Sequence, residues 1–336
     1  MASVTHSSFK PAWWLKSPHL QTIWPSLFRS RVKLDFHVER IDLRDGDFID
    51  LSWHQGSSGP LVMLIHGLEG SISSHYVTPT LQALHQAGFS TLFMHLRGCS
   101  DEPNRLRRSY HSGASEDLKE ILELLRSRNQ IPDAVVGFSL GGNLLLKYLS
   151  ETGNESAIGA AVAVSVPFNL GQAATRLELG LSRIYGRYLL DKLKKSYVKK
   201  YQIRGFDNIV DLSAIQTIYQ FDDNITSQAN GFNDADDYYS KCSSGTKLKN
   251  ISTPTLIIHA LDDPFMFPAS VPTIDQLGPG VDLELCMNGG HVGFIQGNLP
   301  FKAEYWLDKR ISQYLKALLK SKNQPNDNND LQLSFN

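Results

Sequence analysis

One short segment, GFSLG at 137–141, constrains the fold more than any other part of this chain. The apolar run at 133–138 before it predicts a buried strand, and the leucine-rich run at 140–149 after it predicts a helix. Gly-x-Ser-x-Gly in that context is typical of a sharp strand-to-helix turn that exposes the serine hydroxyl above the edge of a sheet. Only small neighbours fit such a turn, and the first helical amides face any negative charge that develops there. Ser139 is therefore the candidate nucleophile.

Short apolar runs alternate with helical patterns along most of the chain. Such alternation predicts an α/β fold with a mostly parallel central sheet and helices on both of its faces. The predicted buried strands are 61–65, 90–95, 132–138, 158–166, 255–259 and 281–285, with helices expected at 78–87, 116–126, 140–149 and 301–319 and a hairpin within 32–53.

The alternation stops at 169–250, which contains basic and acidic helical stretches without a buried strand pattern. Long insertions at this point in a sheet are usually lids or binding elements, so we expect a helical cap there. The core is then 31–168 together with 251–320. The aromatic segment 1–30 is predicted to be an N-terminal arm packed on the core, with contact to a membrane surface as the alternative. The polar tail 321–336 is expected to be disordered.

Composition excludes several classes of function. The chain has 33 Lys and Arg against 34 Asp and Glu, a net charge of −1, which argues against a nucleic-acid partner. The three cysteines, Cys99, Cys242 and Cys286, form no Cys-x-x-Cys pair, so we expect neither a metal site nor a disulfide framework. No Gly-x-Gly-x-x-Gly follows a strand, and the acidic stretch 222–237 lacks the spacing of a calcium loop. No cofactor is therefore predicted.

The first ten residues contain no apolar stretch of the kind found in signal peptides, and no run of about 18 apolar residues occurs. We therefore expect a cytoplasmic protein without a transmembrane segment, for which peripheral membrane contact is still open. The sequence does not predict an oligomeric state.

A serine nucleophile needs a base, and that base needs an acid to orient it. In a sheet of this type they follow the serine in the order acid, then histidine. After the strand at 255–259 come Asp262 and Asp263, and after the strand at 281–285 comes His291. We predict Asp263 as the acid, because it lies further beyond the strand and precedes a proline, with Asp262 as the alternative. The catalytic residues are then Ser139, Asp263 and His291.

Two backbone amides should stabilise an oxyanion beside the serine. Leu140 directly follows the nucleophile, and Leu68 lies in the HGLEG segment after the strand at 61–65. We predict their N–H groups as the oxyanion hole. His66 in the same segment is interpreted as structural, because one triad uses one imidazole.

Several longer motifs, taken together, resemble the α/β-hydrolase superfamily and, within it, the YheT-like esterases (AB hydrolase family 4). The resemblance covers about residues 9–320. It implies a Ser139–Asp263–His291 triad, carboxylic ester hydrolysis without a cofactor, and, from eukaryotic members that carry an N-terminal membrane anchor, lipid esters as one substrate class. The motifs are WLKSPHLQT at 14–22, HGLEGS at 66–71, RGCSDEPNRLRRSYHSG at 97–113, GFSLGGN at 137–143, GFNDADDYYSKCSS at 231–244, ALDDPF at 260–265 and GGHVGF at 289–294.

We therefore predict a serine hydrolase that cleaves a short-chain or lipid ester through an acyl-enzyme. Two alternatives use the same pocket: transfer of the acyl group to an alcohol, and ligand binding without turnover. A basic group at 97–111 could receive an anionic part of the substrate, but its interleaving with acidic residues favours ion pairs that fix the loop. The members of this group are Arg97, Arg105, Arg107, Arg108 and His111.

Overall fold

The computed structural model describes residues 1–54, 59–207, 210–300 and 302–322. Nine strands build its central sheet: β1 (Ser3–His6), β2 (Phe36–Asp42), β3 (Phe48–His54), β4 (Leu61–Ile65), β5 (Ser90–Met94), β6 (Ala134–Phe138), β7 (Ala160–Val164), β8 (Thr255–Ala260) and β9 (Val281–Cys286). They lie in the order β1-β9-β8-β7-β6-β4-β5-β3-β2. A separate two-stranded ribbon joins β10 (Ile295–Gln296) to β11 (Glu304–Tyr305).

Helices cover both faces of the sheet. The helices in chain order are α1 (Pro18–Phe28), α2 (Val77–Gln86), α3 (Ser115–Ser127), α4 (Leu140–Thr152), α5 (Leu170–Arg176), α6 (Ser182–Arg204), α7 (Ile218–Phe221), α8 (Ser227–Asn230), α9 (Ala235–Cys242) and α10 (Trp306–Lys322). Apolar residues of α3 and α4 pack on one face, and those of α2 and α10 pack on the other. No helix among the described residues has both the length and the apolar character needed to cross a bilayer.

Neighbouring strands are parallel along the series β1-β9-β8-β7-β6-β4-β5. At the far edge, β3 pairs antiparallel with both β5 and β2. The carboxyl ends of β4, β6, β8 and β9 therefore meet at one edge of the sheet, which is where ligands bind in sheets of this type. The loops that follow these four strands carry Leu68, Ser139, Asp263 and His291. The α/β architecture predicted from the alternating pattern is confirmed.

The segment 1–30, predicted as an N-terminal arm, includes a strand, β1, that the sequence did not predict. Its residues, Ser3–His6, are mostly exposed and carry no apolar pattern, so side-chain periodicity gave no signal. The strand forms because its backbone pairs in parallel with β9, from Ser3 opposite Asp282 to His6 opposite Leu285. The Ser3 hydroxyl also donates to the Asp282 carboxylate at 2.5 Å.

The last helix also differs from its expected bounds. It begins at Trp306 rather than 301, because the β10–β11 ribbon occupies the preceding residues, and it continues to Lys322. The prediction of a disordered tail concerns 321–336, of which 323–336 lie outside the described residues.

The inserted segment 169–250 lies between β7 and β8, and its described residues form helices without strands. It has an apolar cluster of its own, which packs against Leu68 and Phe265 in the loops at the edge of the sheet. The segment therefore stands over the edge where the candidate residues lie. The buried members of the cluster include Tyr185, Leu190, Leu193, Tyr197, Ile218 and Phe221.

Candidate active site

Ser139 lies in the turn between β6 and α4 with φ 52° and ψ −117°, a backbone conformation that non-glycine residues rarely adopt. Two glycines make that turn possible. A side chain at Gly137 would collide with the backbone at Gly141, and one at Gly141 would collide with the backbone carbonyls of Ile65 and His66. The strain places the serine hydroxyl at the edge of the sheet, as the motif predicts.

His291 lies between the other two predicted residues. Its Nε2 is 3.0 Å from Ser139 Oγ, and its Nδ1 is 2.8 Å from Asp263 Oδ2. An ionised carboxylate can only accept, so Nδ1 carries the proton and Nε2 presents a lone pair to the serine hydroxyl. The structure thus brings together side chains that are 124 and 28 residues apart along the chain.

The two neighbouring aspartates have different contacts. Asp263 is buried, and its second oxygen accepts from the N–H of Phe265 at 2.8 Å. Asp262 instead accepts from the N–H of Gly290 at 3.0 Å and from Asn288 Nδ2 at 3.1 Å. Burial raises the pKa of Asp262 above its usual value. Asp263 therefore contacts the imidazole itself, while Asp262 contacts the loop that carries it.

Three contacts hold the His291 ring and its loop in place. The ring stacks on Phe265 with centroids 4.0 Å apart and planes 6° apart. The His291 N–H donates to Thr22 Oγ1 of α1 at 2.9 Å, and the Val292 N–H donates to Ser165 Oγ at 3.1 Å. The histidine is therefore fixed from three separate parts of the chain.

The amides predicted for the oxyanion hole lie on either side of the serine. Leu140 is the first residue of α4, where backbone N–H groups have no partner within the helix. Leu68 follows Gly67, at which an added Cβ would lie 3.1 Å from the Ser139 Cβ. Within the described part of the chain, no hydrogen bond engages the N–H of Leu68 or Leu140. Both amides remain available to a ligand.

His66 lies within the segment 66–70 that carries Leu68, named here the oxyanion loop after the role predicted for Leu68, but among the described residues it forms no hydrogen bond with Ser139. It is fully buried, and its Nε2 accepts from the N–H of Leu96 at 3.1 Å. The proton is then on Nδ1, which donates to the Gly67 carbonyl at 2.7 Å. Burial lowers the pKa of His66 to about 3, so the ring stays neutral. These contacts agree with a structural role.

Tyr110 and Glu69 were not singled out from the sequence, yet they support the same loop. The Tyr110 hydroxyl lies 2.8 Å from the Glu69 N–H, from which it accepts, and 2.8 Å from Glu69 Oε1, to which it donates. Glu69 has φ 51°, and Ser196 of α6 donates to its other carboxylate oxygen. The carboxylate thus joins the oxyanion loop to the inserted segment.

A cavity of about 680 Å³ opens at the triad. Ser139 and His291 lie in its wall, the surface of its lining is mainly apolar, and the inserted segment contributes about half of the lining residues. A cavity of this size and character accommodates a ligand with an extended apolar part. Among the lining residues are Leu170, Leu177, Tyr185, Leu189, Leu193, Ile218, Phe221 and Ile225.

The basic group at 97–111 is mostly paired with acids. Arg97 is buried and contacts Asp117 at 2.6 Å, and Arg108 contacts Glu116 at 2.8 Å. Arg105 contacts Asp42 at 2.6 Å. Arg107 differs from them: its guanidinium lies over two aromatic rings of the inserted segment, and it lines the cavity. Most of the basic group therefore forms ion pairs that fix its loop, which is the interpretation that the interleaved acidic residues favour.

Lys200 of α6 ties the inserted segment to this loop. Its Nζ donates to the carbonyls of Arg107 and Arg108 at 2.9 and 2.7 Å and to Ser109 Oγ at 2.8 Å. Burial lowers its pKa to about 7. Among the described residues, no group of three or more His, Cys, Asp or Glu side chains is arranged to hold a metal ion.

A buried histidine near the site gives a testable effect on stability. His259 in β8 is 1% exposed, and burial lowers its pKa to about 4. The unfolded chain takes up a proton here near pH 6.5, whereas the folded chain does so only near pH 4. Stability from this group therefore falls as the pH falls through that window, by about 2 kcal/mol at pH 5. Between pH 7.5 and 5, we expect the free energy of unfolding of His259→Gln to fall by about 2 kcal/mol less than that of wild type. Urea denaturation at the two pH values measures this difference.

The exposed His37 in β2 provides the matched control. His37→Gln should show the same pH-dependent loss as wild type. An equal loss in His259→Gln and wild type would contradict this assignment of the pH dependence.

Comparison with known proteins identifies the family. A family model described as the alpha/beta hydrolase fold matches residues 60–298. The chain belongs to the α/β-hydrolase family. This hydrolase is 43% identical over 324 residues to the Escherichia coli protein named "Putative esterase YheT", covering 94% of this chain and 95% of that one. It is an ester hydrolase of the YheT-like group, as the sequence motifs predict.

Two further comparisons are with a human relative and with a solved structure of similar fold. It is 28% identical over 331 residues to the human protein named phospholipase ABHD3, covering 94% of this chain and 80% of that one. The fold matches the structure of the Pyrococcus furiosus esterase Pf2001 with a TM-score of 0.55 at 19% identity, covering 86% of this chain and 98% of that one.

Several residues that support the site lie within motifs quoted for the resemblance. Thr22 ends the 14–22 motif, Glu69 lies in 66–71 and Tyr110 lies in 97–113. The motifs were the available signal for these residues, but they did not indicate what each side chain contacts.

Proposed function

We propose that this hydrolase cleaves its ester through a covalent acyl-enzyme on Ser139. The distances of 3.0 Å from His291 Nε2 to Ser139 Oγ and 2.8 Å from His291 Nδ1 to Asp263 Oδ2 carry the proposal. A hydroxyl in contact with the lone pair of an oriented imidazole is the arrangement that nucleophilic acyl transfer needs.

In the first step Ser139 Oγ forms a bond to the ester carbonyl carbon while its proton moves to His291 Nε2. The carbonyl oxygen becomes an oxyanion, which accepts hydrogen bonds from the N–H groups of Leu68 and Leu140. Collapse of this intermediate breaks the ester C–O bond, and His291 gives its proton to the departing alcohol. Asp263 stabilises the imidazolium that forms between these two transfers.

In the second step water replaces the alcohol. His291 takes a proton from the water, whose oxygen bonds to the acyl carbon, and returns it to Ser139 Oγ as the acid departs. No cofactor enters this sequence of steps.

We further propose that the substrate carries an extended apolar acyl chain held beneath a cap formed by 169–250. The cavity of about 680 Å³ and its lining from this segment support that substrate class. The relative named phospholipase ABHD3 is in keeping with a lipid ester.

Covalent labelling and a panel of esters test the proposal. We expect a fluorophosphonate probe to label the wild-type protein at Ser139 and leave Ser139→Ala unlabelled. With nitrophenyl esters of increasing acyl length, kcat/KM should rise as the chain fills the apolar cavity. Probe labelling at another residue would contradict the assignment of Ser139, and a preference for acetate would contradict the assignment of the cavity.

The oxyanion loop supplies a more specific prediction. Tyr110→Phe removes the hydroxyl that contacts both the N–H and the carboxylate of Glu69, and so frees the loop that carries Leu68. Because an oxyanion donor acts mainly in the transition state, we expect kcat to fall about 10- to 100-fold with KM nearly unchanged. Steady-state kinetics on a soluble ester measures both parameters.

Tyr314→Phe is the matched control, since Tyr314 lies in α10 outside the cavity lining. It should leave both constants at wild-type values. If Tyr110→Phe raised KM with kcat intact, the hydroxyl would serve substrate binding rather than positioning of the oxyanion loop.

A further inference from the structure

The exposed apolar side chains of α1 lie along one face of the helix. Leu20, Ile23 and Leu27 are 50%, 37% and 68% exposed, and their spacing of three and four residues places them side by side. Phe28 at the end of the helix is 60% exposed. Large apolar groups clustered on a surface in this way mark a site of interaction.

A second row of the same kind begins just before α6. Leu181, Ile184 and Tyr188 are 62%, 63% and 59% exposed and are again three and four residues apart. The two helices are neighbours, because His19 Nδ1 of α1 lies 3.1 Å from the Tyr185 hydroxyl of α6 and their rings stack. The two rows therefore belong to one region of the surface.

Part of this region borders the substrate cavity. Ile23 and Leu27 from α1, and Ile184 and Tyr188 from α6, are exposed and also line the cavity. An apolar ligand leaving this surface can therefore enter the cavity directly.

The same two segments carry a marked excess of positive charge, although the whole chain has a net charge of −1. Residues 10–33 contain five basic and no acidic residues, and α6 contains eight basic residues and one acid, Asp191. Some of these cations are used internally, as Arg29 is by Asp308. Arg31, Arg183 and Arg187 are exposed and form no ion pair within the part of the chain that the structure describes.

We propose that α1 and the first half of α6 form a docking surface for an anionic lipid bilayer. Exposed aliphatic and aromatic groups combined with unpaired cations match the two components of such a surface, the acyl chains and the negative headgroups. Docking would place the cavity entrance against the membrane. The proposal concerns binding alone, so it can hold or fail independently of the acyl-enzyme proposed above.

Sedimentation with vesicles tests this docking surface. The vesicles are made of ether-linked phosphatidylcholine, with and without about 30% ether-linked phosphatidylglycerol. They contain no carboxylic ester, so the enzyme cannot cleave the membrane during the assay. We expect wild-type protein to bind the anionic vesicles at low salt, to bind the neutral ones far less, and to be released as the salt concentration rises.

Two double variants separate the apolar and the electrostatic contributions. Arg183→Gln with Arg187→Gln removes two cations and should weaken partitioning about 30-fold. Leu20→Ser with Leu181→Ser removes two exposed leucines outside the cavity lining and should weaken it by about the same factor. The matched control is Ile274→Ser, which is 51% exposed elsewhere and should bind as wild type does. Hydrolysis of a soluble ester should be unchanged in all three.

Equal binding of wild type to both kinds of vesicle, or no binding to either, would overturn the proposal. Wild-type binding by both double variants would also overturn it. So would a dimer that dissociates in these variants, detected by analytical ultracentrifugation without vesicle binding, because the surface would then serve a second copy of the chain.

Discussion

Replacing Ser139 by alanine is expected to lower kcat/KM for a soluble nitrophenyl ester by at least about 10⁴-fold. The variant keeps the cavity and the oxyanion amides but has no oxygen to form the acyl-enzyme. Ser139 also adopts a strained backbone conformation that alanine tolerates equally well, so the fold should persist. Ester hydrolysis assays with the purified variant measure kcat/KM, and circular dichroism shows whether the fold is retained.

Ser127→Ala in α3 is the matched serine control. It should retain wild-type activity, because Ser127 is exposed and, among the residues that the structure describes, its hydroxyl bonds only to Leu124 of the same helix. A Ser139→Ala protein with more than about a hundredth of wild-type activity would mean that another group attacks the ester.

The second prediction distinguishes the roles of two adjacent carboxylates, Asp263 and Asp262. Asp263→Asn should lower kcat by about 10³- to 10⁴-fold, because an amide can donate to Nδ1 and so favour the imidazole tautomer with its proton on Nε2. That tautomer has no lone pair to accept the serine proton. The buried Asp263 contacts the imidazole directly, so the loss should appear in kcat rather than KM.

Asp262→Asn provides the comparison, since the side-chain hydrogen bonds of Asp262 in the described part of the chain go to Asn288 and Gly290 in the loop that carries the histidine. An asparagine oxygen can still accept from the Gly290 N–H, so we expect a loss of about tenfold or less. If Asp262→Asn were the more damaging substitution, the orienting acid would be Asp262, the alternative that the sequence left open.

The central strands were predictable because burial on both faces leaves a continuous apolar run. The runs at 61–65, 133–138 and 255–259 are of this kind, and the structure places β4, β6 and β8 there. β1 could not be found in this way, because it is a short edge strand whose pairing with β9 uses backbone groups. An edge strand has no two-sided burial to mark it in the sequence.

The candidate catalytic residues were predictable for a different reason. Parallel strands bring their carboxyl ends to one edge, so Ser139, Asp263 and His291 converge once their strands are recognised. The supporting residues Thr22 and Tyr110 could not be assigned in the same way. Their roles depend on single hydrogen bonds between distant parts of the chain, which periodicity and spacing do not reveal.

The hydrogen bond between Thr22 and the His291 N–H links residues that are separated by 269 positions. The pairing of β1 with β9 spans a similar separation. Forming contacts of such long range requires the closure of a large loop, which costs entropy before any contact compensates for it. On the ribosome Thr22 is made long before His291, so a nascent chain cannot assemble the candidate triad until the loop that carries residue 291 has been synthesised.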